Sequence, residues 1–245
     1  MLYRNWIDQL KEILRPGGYV ESGLSDGAPI PGASDNRLTF GNTAVRFEAV
    51  TFYVDMRGST QVLQKHRAVN VAKVHKAFLF AATKLLEEGQ AHIRSYNGDS
   101  ILAFFRGTSK KDISRAVKTA MQLVFLCGAS EEIRKEFEQY SGIDFGIGID
   151  LGQVLCVKAG KGGNENWNDL IWLGDAVNRA TRLSDKANAE NGRIWISKGA
   201  RDLLEDEVKF NTKDGARVDM WVDRKLSYAQ QDEEAWSTPY HWKVS

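Results

Sequence analysis

Cysteine is nearly absent from this 245-residue chain: there are two, Cys127 and Cys156, both in apolar stretches and not arranged as a CxxC pair. That argues against a disulfide scaffold and a thiolate zinc site, and it predicts two inert thiols in a reducing compartment. Net charge is missing as well. Lys and Arg number 33 against 32 Asp and Glu, a formal charge of +1, so neither a general nucleic-acid surface nor an acidic tail is expected. No stretch approaches the roughly 18 to 20 apolar residues of a membrane span. The N-terminus has no signal-peptide core with a small-residue cleavage site, so a soluble, cytoplasmic protein without a membrane partner is expected. Two common phosphate signatures fail too. Gly160-Lys161-Gly162-Gly163 is not GxxxxGK[ST], and Gly146, Gly148 and Gly152 are spaced as GxGxxxG within a strand pattern, which disfavours a P-loop and a dinucleotide fold.

What the chain does contain is alternating strand and helix patterns. Residues 2–14 place Trp6, Leu10, Ile13 and Leu14 on one helical face, expected to dock on the rest of the chain, and Gly17 to about Asn42 reads as an irregular arm. Val45 to Val54 is an apolar strand that Asp55 closes. Val71, Val74, Phe78, Ala82 and Leu85 recur at helical spacing. Ala91–Tyr96 and Ser100–Phe105 read as strands joined by a tight Asn97-Gly98 turn, with Asp99 just after it. A helical pattern from Ile113 through Cys127 continues toward Phe137. A pair of strands flanks Gly152, Gly160–Asn168 is a loop, Ala176–Ala187 is a helix, Arg193–Ile196 is a strand and Gly199–Leu204 is a short helix. The fold class is α/β or α+β, a sheet layered with helices.

Three segments carry the chemistry. Asp55 ends an apolar strand in Tyr53-Val54-Asp55-Met56-Arg57-Gly58-Ser59-Thr60, and Asp99 sits beside a turn in Asn97-Gly98-Asp99-Ser100. Burying a carboxylate costs several kcal/mol unless a cation or donors meet it, so the pair suggests a divalent-cation site. In Gly174-Asp175-Ala176-Val177-Asn178-Arg179-Ala180-Thr181-Arg182, Asn178 and Arg182 are four apart and share a helix face. An amide suits a sugar oxygen and a guanidinium fork suits a phosphate, so phosphoryl chemistry is the reading.

These motifs, with Ala103-Phe104-Phe105 and Ile147-Gly148-Ile149-Asp150-Leu151-Gly152-Gln153-Val154 in the same order, resemble the class III nucleotidyl cyclase domain over residues 45–212. The resemblance implies an α+β, ferredoxin-like core with an antiparallel-dominated sheet flanked by helices. It also implies an antiparallel homodimer with active sites at the interface. Residues 1–44 would be an N-terminal helix and arm, 45–212 the catalytic domain and 213–245 a C-terminal extension. Carried over by motif, Asp55 and Asp99, helped by the Met56 carbonyl, would hold two Mg²⁺ or Mn²⁺ ions. Asn178 would orient the ribose, and Arg182 would stabilise charge at the α-phosphate as the 3′-hydroxyl attacks.

The base pocket departs from the purine cyclases. Where that family places base-reading polar residues, this chain has Ser95, four before Asp99, and Ile171, three before Gly174. Ile171 cannot accept from an adenine amine, and Ser95 is too short to replace a lysine. Tyr53, two residues before Asp55, shares its face and would narrow the pocket. The combination resembles the pyrimidine cyclases of bacterial Pycsar antiphage defence. It implies UTP, ahead of CTP, as substrate, and a separate effector that responds to the cyclic product. A purine cyclase and an inactive nucleotide-binding regulatory dimer are the alternatives. Arg224 and Lys225 are candidates for the terminal phosphates.

Overall fold

The computed structural model describes residues 2–16, 20, 23–27, 29–58, 64–160, 168–213 and 215–244. In chain order its elements are α1 (Leu2–Leu14), β1 (Gly23–Ser25), β2 (Thr43–Arg57), α2 (Ala68–Glu88), β3 (His92–Asn97), β4 (Ser100–Arg106), α3 (Lys110–Val124), α4 (Glu131–Glu138), β5 (Asp144–Gly160), β6 (Asn168–Leu173) and α5 (Asp175–Lys186). There follow β7 (Ile194–Ser197), α6 (Lys198–Asp202), α7 (Asp206–Lys209), β8 (Phe210–Lys213), β9 (Ala216–Asp219), β10 (Val222–Tyr228) and β11 (Gln231–Thr238). Two compact units divide the chain: residues 1–48 with 153–175, and residues 49–152 with 176–245. Ser59 and Thr60 of the first motif, and most of the 160–168 loop, lie outside the described residues.

In the smaller unit β1 runs parallel to the start of β2, with Leu24 opposite Ala44. The end of β5 pairs antiparallel with β6, with Val157 opposite Ile171. Phe47 and Trp172 meet edge to face at 6.2 Å. The apolar face of α1 does not dock as its pattern predicts: Trp6, Leu10, Ile13 and Leu14 are all exposed.

In the larger unit the strand order is β10-β11-β7-β5-β2-β4-β3. β7 runs parallel to β5, whereas β10 with β11, β11 with β7, β2 with β4 and β3 with β4 are antiparallel. Alternation sorts the side chains. Val50, Phe52, Val54 and Met56 of β2, with Ile101, Ala103 and Phe105 of β4, bury one face against Phe78, Ala82 and Leu85 of α2 and Ile113, Val117 and Ala120 of α3. The helical spacing in the sequence picked out the buried Phe78, Ala82 and Leu85 of α2. On the opposite face Gly146 and Gly148 let α5 lie against β5. A Cβ at Gly148 would stand 2.9 Å from the Ala180 carbonyl carbon, and one at Gly146 2.7 Å from Arg57 Nη2. The Ser184 hydroxyl donates to the Gly146 carbonyl at 3.0 Å. The Gly-x-Gly spacing therefore serves helix-on-strand contact.

Several expectations are corrected. Asn97 pairs with Ser100, so the turn residues are Gly98 and Asp99, with positive φ at Gly98 alone (+62°); Asp99 lies within the turn instead of after it. The two strands expected around Gly152 are one strand, which passes through that residue at φ +151°. The long helical pattern breaks at a π-type turn over Phe125–Ala129 before α4. Residues 213–245, set apart from the core by sequence, contribute β10 and β11 to the sheet beside β7.

Candidate active site

Tyr53, Asp55 and Arg57 alternate along β2 and leave the sheet on the face away from α2 and α3. Cross-strand register puts Leu102 opposite Tyr53 and Ser100 opposite Asp55. A bulge between Ile93 and Ser95 shifts β3 so that Ser95, not Arg94, stands opposite Leu102. Ser95 thus joins the row of Tyr53. The Tyr53 hydroxyl donates to Ser100 Oγ at 3.0 Å, and Ser100 Oγ donates to the Asn97 carbonyl at 3.0 Å. Burial pushes the Tyr53 phenol up, and the charges of Asp55, Asp185 and Asp99 add to it against the lowering by Ser100. The phenol therefore stays protonated, and its proton is committed to Ser100.

The two acids occupy a site short of cations. Burial, then the Asp99 charge, pushes the Asp55 carboxyl up, although Arg57 Nη1 donates to Asp55 Oδ2 at 2.7 Å. His75 Nε2 stands 3.6 Å from Asp99 Oδ2. That exceeds hydrogen-bonding reach, and both atoms are buried without a hydrogen-bond partner. An orphaned carboxylate oxygen beside a second desolvated carboxylate is the environment that a hard cation satisfies. Met56 follows Asp55 with its side chain in the core, which leaves its carbonyl as the backbone acceptor next to the acid. Among the described residues no three His, Cys, Asp or Glu could hold a metal ion by themselves. Two carboxylates and a carbonyl nevertheless fit Mg²⁺ or Mn²⁺, which complete their shells with water and substrate phosphates. A cavity of about 660 Å³ opens beside Asp99, lined by His75, Lys76, Phe80 and Thr83 among others.

Asn178 and Arg182 line a different cavity, of about 870 Å³, with Thr181, Asp185, Lys186 and Tyr228. No residue lines both. The helical spacing thus brings amide and guanidinium together, in a cavity whose lining includes neither Asp55 nor Asp99. Lys186 extends the Asn178–Arg182 face by another turn. Arg224 and Lys225 are elsewhere: Arg224 donates to Ser237 Oγ at 2.9 Å, and both border a third cavity with Glu234. Ile171 is on β6 in the smaller unit, 42% exposed.

The orientation of α5 is fixed by Arg179. Its Nη1 donates to Asp150 Oδ2 and its Nε to Glu233 Oε2, each at 2.7 Å, and its guanidinium lies 4.8 Å from the centre of the Tyr228 ring. Ser197 Oγ donates to Asp150 Oδ1 at 2.5 Å. Burial pushes the Asp150 carboxyl up even though these donors pull it down. The hairpin β10–β11 and the helix carrying Asn178 and Arg182 are thereby held at one separation. Arg57 holds the other end of α5: its Nε donates to the Ala187 carbonyl at 3.2 Å and its Nη2 donates to the Ser184 carbonyl.

Arg57, Ser100, Asp150, Arg179 and Lys186 were not assigned site roles from sequence. Two carried a readable signal. Arg57 is two residues past Asp55 on a strand, and Lys186 is four past Arg182 on a helix. The Asp150–Arg179–Glu233 chain joins positions far apart in sequence and left no local mark.

The family of adenylate and guanylate cyclase catalytic domains matches residues 43–229. A uridylate cyclase of Xanthomonas perforans is 29% identical over 191 residues, 76% of this chain and 78% of that one. A uridylate cyclase of Burkholderia cepacia is 26% identical over 214 residues, 87% of each. Among solved structures, the guanylyl cyclase Cya2 superposes with a TM-score of 0.63 at 18% identity, over 80% of this chain and 94% of that one. The adenylyl cyclase CyaB from P. aeruginosa does so with 0.61 at 18%, over 80% and 95%; at this identity the likeness concerns the fold. A mostly antiparallel sheet flanked by helices, the ordered motifs and a match over most of its length make this chain a member of the adenylate and guanylate cyclase catalytic domain family.

Proposed function

We propose that this nucleotidyl cyclase acts on a pyrimidine, converting UTP, and CTP less well, to the 3′,5′-cyclic nucleotide and pyrophosphate. The observation that carries the reading is the Tyr53–Ser100–Asn97 relay beside Asp55 and Asp99. With its proton committed to Ser100, the phenol oxygen offers only lone pairs, which suits the N–H of a base such as uracil. The Tyr53 ring fills space that a purine would need, and Ser95 in the same row is too short to read one. Relatives named uridylate cyclase, and a Staphylococcus aureus relative named cytidylate cyclase at 24% identity, support the pyrimidine assignment and the preference for UTP.

Asp55, Asp99 and the Met56 carbonyl would hold two Mn²⁺ or Mg²⁺ ions, which would supply Lewis-acid stabilisation of the charge on the reacting oxygens. Asn178 orients the ribose, Arg182 meets the charge growing at the α-phosphate, and Lys186, one turn on, reaches the next phosphates. Ser95 borders the base; for Ile171 that role rests on its position before the Gly174 motif alone. Because neither acid lines the cavity of Asn178 and Arg182, two chains pair as an antiparallel homodimer, each completing the other's site. We place the protein in the cytoplasm and in antiphage defence, acting through a separate cyclic-nucleotide-responsive effector, on its resemblance to the Pycsar cyclases. No described helix is long and apolar enough to cross a membrane.

The test is incubation of the purified protein with Mn²⁺ and each of UTP, CTP, ATP and GTP, with products identified by mass spectrometry. Cyclic UMP as main product is expected. A cyclic purine as main product overturns the pocket reading, and absence of any cyclic product overturns the proposed activity.

A further inference from the structure

Arg57 touches both halves of the machinery within one chain. Its Nη1 donates to Asp55 Oδ2 at 2.7 Å. Its Nε donates to the Ala187 carbonyl at 3.2 Å, and its Nη2 donates to the Ser184 carbonyl and, at 3.3 Å, to Ser184 Oγ. The Ser184 carbonyl, in the last turn of α5, also accepts from the Ala187 N–H at 2.9 Å, and the Ala187 carbonyl lies just past the helix, at the end where a cation is favoured. The guanidinium is therefore a C-cap for the helix that carries Asn178 and Arg182. It is also the counter-cation of Asp55. Because the fork is planar and rigid, these contacts are not independent: a shift of the group toward the carbonyls is a shift away from the carboxylate. The site leaves little slack, since a Cβ on Gly146 would lie 2.7 Å from Nη2.

We infer that Arg57 is a positioning residue that couples cation occupancy at Asp55 to the setting of α5. Without a divalent cation, Arg57 divides its donors between the carboxylate and the helix end. A cation on Asp55 draws charge from that carboxylate and weakens its hold on Arg57, so the guanidinium settles on the Ser184 and Ala187 carbonyls and firms the last turn of α5. By linkage, a nucleotide that orders α5 raises cation affinity at Asp55 by the same factor. In a homodimer whose α5 serves the partner's acids, this route carries information from one active site to the other. The inference rests on the assignment of Asp55 to the cations, so its test separates the two claims.

Mn²⁺ binding is measured by calorimetry without nucleotide, and amide hydrogen exchange of residues 183–188 is followed with and without Mn²⁺. Wild type, Asp55→Ala, Arg57→Met and Arg57→Lys are compared, each checked for folding by circular dichroism. Wild type is expected to bind Mn²⁺ and Asp55→Ala to lose binding. Equal binding by these two would remove the cation assignment, and this inference with it. Arg57→Met removes a competing cation, so Mn²⁺ should bind it at least about threefold more tightly; general structural damage would weaken binding instead. In wild type, Mn²⁺ should slow exchange at the end of α5 by about threefold or more. In Arg57→Lys, whose point charge cannot bridge the carboxylate and both carbonyls, that response should vanish while the fold persists. Unchanged or weaker Mn²⁺ binding in Arg57→Met, or an α5 end indifferent to Mn²⁺ in wild type, overturns the coupling and leaves the cation site standing.

Discussion

Replacing Gly148 by alanine should damage catalysis without touching any group that meets the nucleotide. The new Cβ would stand 2.9 Å from the Ala180 carbonyl carbon, with the Ala180 oxygen and the Ser184 nitrogen closer still. All three are backbone atoms of α5, so no side chain can swing aside. Carbon atoms in contact sit about 3.5 to 4 Å apart, so the helix must retreat by roughly 1 Å. Overpacking of this kind costs about 1–3 kcal/mol, which for a chain of this size lowers the Tm by roughly 2–4 °C per kcal/mol. The larger effect is positional. A misplacement of about 1 Å costs on the order of 100-fold in rate, and here it falls on Asn178 and Arg182 together. The assay is kcat and Tm for Gly148→Ala beside Gly199→Ala. A Cβ at Gly199 meets only Leu151 Cδ2, at 3.8 Å, so that control should keep wild-type kcat. A folded Gly148→Ala enzyme with kcat within about threefold of wild type would refute the argument that contact between β5 and α5 sets the site.

Three further outcomes are expected. Asp99→Asn should abolish turnover yet raise metal-free stability by about 0.5–1 kcal/mol, because it removes the like charge that opposes Asp55; denaturant titration with and without Mn²⁺ checks this. Arg179→Met should cost about 3–5 kcal/mol near pH 7 by stranding the Asp150 carboxylate. Since burial already raises the Asp150 carboxyl, the deficit exists above its folded-state pKa and shrinks as pH falls through it, when the acid takes up a proton. Unfolding curves recorded at successively lower pH should show the gap narrowing, and adding Asp150→Asn should restore most of the loss at pH 7. Cys127, whose thiol burial pushes up to about 12, and the equally buried Cys156 should resist alkylation at pH 8 until the protein is unfolded, which mass spectrometry of the labelled protein reads directly.

The sequence disclosed features governed by local periodicity. Period two put Tyr53 and Asp55 on one face, and periods three and four chose the buried residues of α2 and paired Asn178 with Arg182. Features set by backbone conformation or distant partners were hidden. Positive φ at Gly98 alone moved Asp99 into the turn, and an unmarked bulge brought Ser95 into the row of Tyr53. β5 runs on through Gly152 because glycine tolerates the conformation that would end an ordinary strand. The hairpin of β10 and β11 left little signal because most of its residues are polar and about half are exposed, so it shows little apolar alternation; Glu233 and Tyr228 reveal their part only through Arg179. The exposed face of α1 shows that amphipathic periodicity predicts a helix without telling what covers it.

The central claim is that one chain holds two complementary half-sites which become an enzyme only across two copies. Asp99→Ala and Arg182→Ala, each inactive alone, should be mixed in equal amounts through a dissociation and reassociation step and assayed for cyclic UMP from UTP. Half of the random dimers would be mixed, each with one intact site, so about a quarter of wild-type activity should return. No recovery from a mixture shown to have exchanged subunits would contradict the account.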